Sequence, residues 1–253
     1  MARKIIGVLA LVGLFVGLNP ALAAKPNYAP EFPDKDGTYE VPGHPNMKVR
    51  VFVHKPNPGK PGPVPTPTCS DAHENIDTVG TTGWHLPSTF TYTLNTSSVP
   101  SAVGGERLPE IASLSAGKWD SLSGKINLIQ SSETTTINRA RSDGKNIVSW
   151  GRTSGNALAV TYTWYYPSDG LVAESDIIMN SKFHWSWQAC SNSSYDVQNI
   201  MTHEMGHWMG LDDELNSNFA DDTMYGYGST GEYKKDTLEQ GDIDGFISIY
   251  NNL

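Results

Sequence analysis

Between residues 203 and 213 the chain reads His203-Glu204-Met205-Gly206-His207-Trp208-Met209-Gly210-Leu211-Asp212-Asp213. Two histidines four apart on a helix project from one face, one turn separated, so both imidazoles can reach a single ion. Glu204 follows the first histidine, where a carboxylate can take a proton from water at an open metal position. Gly210 permits a left-handed residue that ends the helix and turns the chain back. Asp213 can then complete a three-ligand open site of two imidazoles and a carboxylate. Nitrogen ligands favour zinc over calcium or magnesium, which take all-oxygen cages. Asp212 is the alternative third ligand if the loop runs one residue tighter.

A helix must carry this string and must have two usable faces. Asp196 is suited to cap its start, and Gly210 to end it beyond Met209. Val197, Met201, Met205 and Trp208 form an apolar stripe. At about 100° per residue, His203 and His207 lie roughly 200° from Met201 and Met205, on the far side. Upstream, Ile111, Leu114, Ala116 and Trp119 suggest a helix ending near Asp120. Strand-like runs rich in Val, Ile, Tyr and Trp occur at 90–94, 125–130, 146–150, 157–166 and 171–179. A closing helix near 241–251 follows. Strands with one helix, then helices, read as an α+β fold.

The ends of the chain differ from this middle. Arg3 and Lys4, an apolar run from Ile5 to Leu18, Asn19-Pro20 and Ala21-Leu22-Ala23 read as a secretory signal over 1–23. The apolar run is shorter than the roughly 20 residues that span a bilayer, so the mature form is expected to be exported and free of the membrane. Eleven of the sixteen prolines fall between residues 26 and 67. Residues 24–68 therefore read as a Pro-rich leader or linker, with at most one strand, at Met47–His54, laid on the domain. The domain proper is expected over 69–253. A formal charge of −9 argues against nucleic-acid binding, which needs a basic stripe. An oxidising compartment makes the two cysteines, Cys69 and Cys190, candidates for a disulfide.

The 203–213 string resembles the extended zinc signature of the metzincin metallopeptidases, with Asp213 where the third histidine is usual, as in the snapalysin-like enzymes. Thr223-Met224-Tyr225 is similar to the Met-turn of the matrixin branch, and Leu238 with Asp242-Ile243-Asp244-Gly245-Phe246 and Ile249-Tyr250 to its closing helix. The resemblance implies a twisted five-stranded mixed sheet with an active-site helix and a C-terminal helix. It implies a secreted zinc endopeptidase in which Glu204 is general base and acid, His203, His207 and Asp213 hold zinc, and Met224 floors the site. A protein or peptide substrate would lie along an edge strand near Ala157–Trp164, on a monomeric enzyme.

Two departures stand out. Some metzincins carry a tyrosine two residues after the Met-turn methionine, whereas this chain has Gly226, so Tyr225 and Tyr227 receive no such role. Matrixin leaders often block zinc with a basic-Cys-Gly motif, and Thr68-Cys69-Ser70-Asp71 lacks both flanking residues, which leaves the disulfide as the better reading of Cys69.

Other residues carry plainer readings. Glu214, Asp221 and Asp222 could bind a structural calcium ion or form a solvated acidic loop. His85 and His184 have no partner spacing. Trp164-Tyr165-Tyr166 could line a cleft, but bulky aromatics in a strand are more often core. Asn95-Thr96-Ser97 and Asn192-Ser193-Ser194 fit glycosylation sequons. The rival functions are a secreted binding protein whose zinc is structural, and a non-peptidase zinc hydrolase. A closed four-ligand site, with the fourth ligand from Cys69 or a distant histidine, would favour the first of these.

Overall fold

Residues 32–58, 78–191, 193–251 and 253 are described by the computed structural model of the chain. The signal-like segment 1–23, Cys69 and Asn192 lie outside these residues. The elements run β1 (Gly37–Glu40), β2 (Lys48–Pro56), β3 (Phe90–Leu94), α1 (Leu108–Asp120), β4 (Leu128–Thr134), β5 (Asn146–Gly151), β6 (Ala159–Tyr165), β7 (Val172–Asn180), β8 (Trp185–Ser186), β9 (Tyr195–Asp196), α2 (Val197–Trp208), β10 (Tyr227–Gly228) and α3 (Gln240–Tyr250). Sheet and helices form the α+β class that the order of sequence patterns implies.

The main sheet is ordered β1-β2-β6-β7-β5-β3-β4, with β10 also pairing β2. Strands β4, β3, β5 and β7 are mutually parallel, and β6 is antiparallel to β7. Those five make the expected mixed sheet. Its width is not the expected five, however, because β1, β2 and β10 extend it past β6 to eight strands.

Two of the three added strands come from the stretch expected to be mainly linker. Proline content there is high but clustered. Pro42 and Pro45 lie in the connection between β1 and β2, Pro56 ends β2, and no proline occurs from Asn46 to Lys55. A proline-free run of alternating residues can pair on both edges, and β2 does so. It pairs antiparallel with β6 from Lys48↔Tyr165 to His54↔Ala159, antiparallel with β1 along its first half, and parallel with β10 at Lys55 and Pro56.

Each face of the sheet carries an apolar core. One face holds α1, α2 and α3, with Trp84, Trp119, Trp208, Met201, Met205 and Phe246 among the buried side chains. On α1 the buried positions are Leu108, Ile111, Ala112, Ser115, Ala116 and Trp119, a 3–4 spacing that leaves Leu114 on the outside at 41% exposure, against expectation. The opposite face packs Phe32, Val41, Met47, Val49, Val51 and Val53 of the leader against Val160, Tyr162, Trp164 and Ile178. Burying each such large apolar side chain contributes about 1.5–3 kcal/mol as an upper figure. Residues 32–53 of the leader are thus a packed part of this structure.

Candidate metal centre and active site

Helix α2 is set by its ends. The Asp196 carboxylate accepts from the amides of Gln198 (2.9 Å) and Asn199 (3.1 Å), satisfying donors that the first turn leaves free. At the other end Gly210 adopts φ +97°, and a Cβ there would come within 2.3 Å of the Trp84 carbonyl oxygen, so only glycine fits. Two tryptophans lock the helix from the sides. The Trp119 indole donates to the Thr202 carbonyl (2.9 Å) and the Trp84 indole to the His207 carbonyl (3.1 Å).

The metal-facing side is organised by backbone carbonyls. His203 Nδ1 lies 2.7 Å from the Thr223 carbonyl and His207 Nδ1 2.9 Å from that of Leu211. A carbonyl only accepts, so each Nδ1 carries the proton and each Nε2 presents a lone pair. Those two Nε2 atoms lie 3.2 and 3.6 Å from Asp213 Oδ1. All three atoms are buried without a hydrogen-bond partner. Burial lowers His203 well below its ordinary pKa and takes His207 down to about 3, so both rings are neutral at neutral pH. The approach is therefore not an ion pair. Two imidazole lone pairs and a buried carboxyl oxygen converge with no hydrogen bond among them, and a cation there would be coordinated by all three. The site residues fit zinc by donor type and by these orphaned atoms.

Asp213 therefore points to the histidines and Asp212 does not. Asp212 is about half exposed, with a carboxylate oxygen 3.9 Å from an Arg50 nitrogen. Glu204 is fully buried. One carboxylate oxygen accepts from the Thr161 hydroxyl of β6, and the other lies 3.4 Å from His54 Nδ1. Burial pushes Glu204 up to about 8, so without a nearby cation it holds its proton near neutrality.

The loop after α2 closes the floor. Met224 is fully buried, and a Cβ at Gly206 would lie 2.2 Å from its sulfur and 2.9 Å from the Trp119 ring. Met224 therefore packs directly beneath the helix turn between the histidines, and the small residue inside the motif is what admits it. The Asp242 carboxylate accepts from the amides of Thr223 (2.8 Å), Met224 (3.0 Å) and Glu239 (2.9 Å), which pins this turn to the start of α3. Lys235 is fully buried and donates to the carbonyls of Tyr225 and Tyr227, and burial lowers it to about 8. A Cβ at Gly226 would sit 3.0 Å from Asp213 Oδ1, so the position that carries tyrosine in some metzincins is here filled by the third acid's own surroundings.

Sequence reasoning did not find Thr161, Lys235, the buried role of Asp242, or His54. His54 sits at the end of a strand whose alternation was legible, but nothing local says that the strand ends over a metal centre. Among the described residues, the groups able to share an ion are His203 with His207 and Asp213, and His54 with His203 and Glu204. The two groups share His203, and His54 is not grouped with His207 and Asp213.

The remaining candidates resolve as follows. Glu214, Asp221 and Asp222 are not among the described groups able to share an ion; Asp221 pairs with Lys234 (3.1 Å) and Glu214 accepts from the Asn216 amide (2.6 Å). Asn95 is buried and its side-chain amide donates to the Ile137 carbonyl (2.9 Å), so that sequon is not presented to solvent. Trp164 is buried in the core on the leader side of the sheet, whereas Tyr166 is exposed at 36%. His85 contacts the Leu86 carbonyl, away from the site. Cys190 is disulfide-bonded; Cys69 lies outside the described residues. No described helix is long and apolar enough to cross a membrane.

Residues 139–251 match the family model described as matrixin. The matched region begins before β5 and takes in β6, β7, α2, the Met224 turn and α3, and so covers every residue of the centre except His54. No curated protein matches the chain.

Proposed function

We propose that this protein is an exported zinc-dependent endopeptidase of matrixin type, with an aspartate as third zinc ligand. The observation that carries this reading is the convergence of three buried, unpartnered donor atoms, on His203, His207 and Asp213, beside a buried carboxylate, Glu204. A matrixin match over the same residues supports the peptidase class. Export is supported by the signal-like sequence of residues 1–23 and the disulfide at Cys190.

In this reading zinc supplies Lewis-acid polarisation of a peptide carbonyl and acidifies water. His203 and His207 act as neutral ligands, each fixed in one tautomer by its Nδ1 bond to a carbonyl. Glu204 takes the proton of the attacking water and returns it to the leaving amine. Thr161 holds one Glu204 oxygen, and the other, 3.4 Å from His54 Nδ1, is the one left to take the proton. Met224 takes no part in proton transfer and fixes the helix from below. An extended protein or peptide segment is the substrate, and the domain is expected to work as a monomer.

The test is chelator-sensitive cleavage of unfolded casein by the purified chain, assayed both intact and after the 59–77 connection has been cut. Glu204→Gln keeps stoichiometric zinc and loses hydrolysis; near-normal activity in that variant sinks the mechanism. A second reading, a structural metal site in a binding protein, has one observation in its favour: His54, His203 and Glu204 form a further buried group able to share an ion.

A further inference from the structure

Lys235 is among the largest fully buried side chains of the protein. A lysine is almost never buried so completely unless its charge is paired, because the ammonium gives up its water. Among the described residues Lys235 forms no ion pair. Its donors go to two backbone carbonyls, those of Tyr225 (2.5 Å) and Tyr227 (2.7 Å), and the Tyr225 ring lies 5.5 Å from the ammonium. The Lys235 amide donates to the Asn199 side chain (2.7 Å), which fastens this residue to the first turn of α2.

The two carbonyls belong to one extended stretch. Successive carbonyls of an extended chain point to opposite sides, so drawing those of Tyr225 and Tyr227 inward turns those of Gly226 and Gly228 outward. Both outward carbonyls accept from an extended segment, Gly226 from the Lys55 amide (3.4 Å) and Gly228 from the Asn57 amide (2.8 Å). A short ribbon fixes the start of the stretch. The Gly226 amide donates to the Glu214 carbonyl (2.9 Å) and the Glu214 amide to the Met224 carbonyl (2.8 Å). The stretch also borders the metal centre, since a Cβ at Gly226 would lie 3.0 Å from Asp213 Oδ1. A chain lying beside the centre is therefore paired on two sides, antiparallel to β6 and parallel to Tyr227 and Gly228.

We propose that Lys235 is a positioning residue of the cleft. Its ammonium holds residues 225–228 extended, so that the Gly226 and Gly228 carbonyls face out and bond to an extended substrate segment. An apolar residue of the same size would fill the space but leave two buried carbonyls without donors, and the stretch would turn to satisfy them. The inference rests on the peptidase reading for its substrate, whereas the clamp itself rests on hydrogen bonds. The direction of the ladders also fixes which part of a substrate is concerned. Phe52 and His54 lie beside the histidine rings and Lys55 and Asn57 meet the outward carbonyls, so these carbonyls serve residues C-terminal to the reacting bond.

The test compares wild type with Lys235→Met and with Lys235→Gln, which keeps one donor should the first variant not fold. A peptide containing a mapped casein cleavage site is used at full length and truncated one residue beyond the cut bond. Each protein is assayed intact and after the 59–77 connection has been cut. Losing the clamp should raise KM for the long peptide about tenfold in Lys235→Met and less in Lys235→Gln, with kcat within about twofold and the short peptide hardly affected. Amide exchange followed by NMR gives a readout that needs no activity. The Gly226 and Asn57 amides should exchange about tenfold faster in Lys235→Met, while Met205 and its neighbours in α2 keep wild-type rates. Equal losses on the long and short peptides, or a fall in kcat alone, overturn the substrate role. Unchanged exchange at Gly226 and Asn57 overturns the clamp. If wild type cleaves no casein, the peptidase reading fails, and faster exchange at those two amides still upholds the clamp.

Discussion

Helix α2 and strand β2 press on the same histidine rings from opposite sides, yet they are held by different means. Helix α2 is capped by Asp196, stopped by Gly210, pinned by two indoles and buried along its whole length. Its position depends on contacts both within the matrixin-matched residues and ahead of them, where Trp84 and Trp119 lie. Strand β2 is held by its ladders to β1, β6 and β10 and by one apolar face against the far side of the sheet. Removing α2 would remove the core. Removing β2 would uncover a sheet edge and an apolar face, and from the core between sheet and helices it would take only Phe52. The helix therefore reads as the fixed half of the centre and the strand as the half that can be taken away.

That contrast predicts the largest effect at Phe52. Truncating a fully buried phenylalanine costs about 3–5 kcal/mol when the whole fold must absorb the loss. If β2 can open by itself, the loss of global stability in Phe52→Ala cannot exceed the free energy of that local opening. Urea unfolding followed by tryptophan fluorescence should then show a loss well below this range. Amide exchange should accelerate across 48–56 while β5 and β7 keep wild-type protection. Uniform acceleration through all strands would show that the two halves unfold together and would break the comparison.

Next in size is the acid of the fixed half. Asp213→Ala removes a donor that faces both Nε2 atoms, and zinc affinity should fall by more than about a hundredfold, beyond the range of an outer-sphere partner. Asp212→Ala, whose carboxylate faces Arg50, should stay near wild type. Competition with a chromophoric chelator measures both, and the reverse order would reassign the ligand.

How much of this was readable in advance follows the same division. The histidine pair, Glu204, the Asp196 cap and the Gly210 stop act within one helix and its ends, so spacing alone displays them. The α+β order and the strands at 90–94, 146–151 and 172–180 followed from local patterns. His54 could not be read that way, because its meaning depends on β2 pairing with β6, more than a hundred residues later in the chain. Proline count also misled, since Pro42 and Pro45 stand between β1 and β2, Pro56 ends β2, and 46–55 is left free to pair. Lys235 carries no local signal that sets it apart from Lys234. Only the fold shows that it is buried, donating to the carbonyls of Tyr225 and Tyr227.

Gly206 tests how tightly the fixed half is built. A methyl group there would meet the Met224 sulfur and the Trp119 ring at distances that no real Cβ tolerates. Gly206→Ala should cost about 1–3 kcal/mol through overpacking, even though alanine is the better helix former. A Met224→Ala change in the same chain should recover part of that cost, because it removes the nearest clashing atom. Additive losses in the double variant would show that the floor under the motif is looser than its distances indicate.

The smallest expected effect concerns the acids beyond the floor. Burial, followed by repulsion from Asp242, Glu239, Glu214 and Asp221, raises Asp222 from 3.8 to about 7, and its Oδ1 is buried without a partner. A carboxyl group raised on folding stabilises the fold fully below its unfolded pKa. The contribution is lost as pH rises from about 3.8 through about 7, because the folded state gives up its proton last. Asp222→Asn replaces the protonated acid with a neutral group of similar shape. It should remove this pH dependence and raise stability above pH 7 by about 1 kcal/mol, a figure reduced from the full shift because part of the group is screened by solvent. Urea midpoints for the two proteins should converge near pH 4 and separate as pH rises. Midpoints that instead separate toward low pH would mean that ionised Asp222 is stabilised in the fold, by a cation or a donor, and that the floor of the centre carries a second charge-binding position.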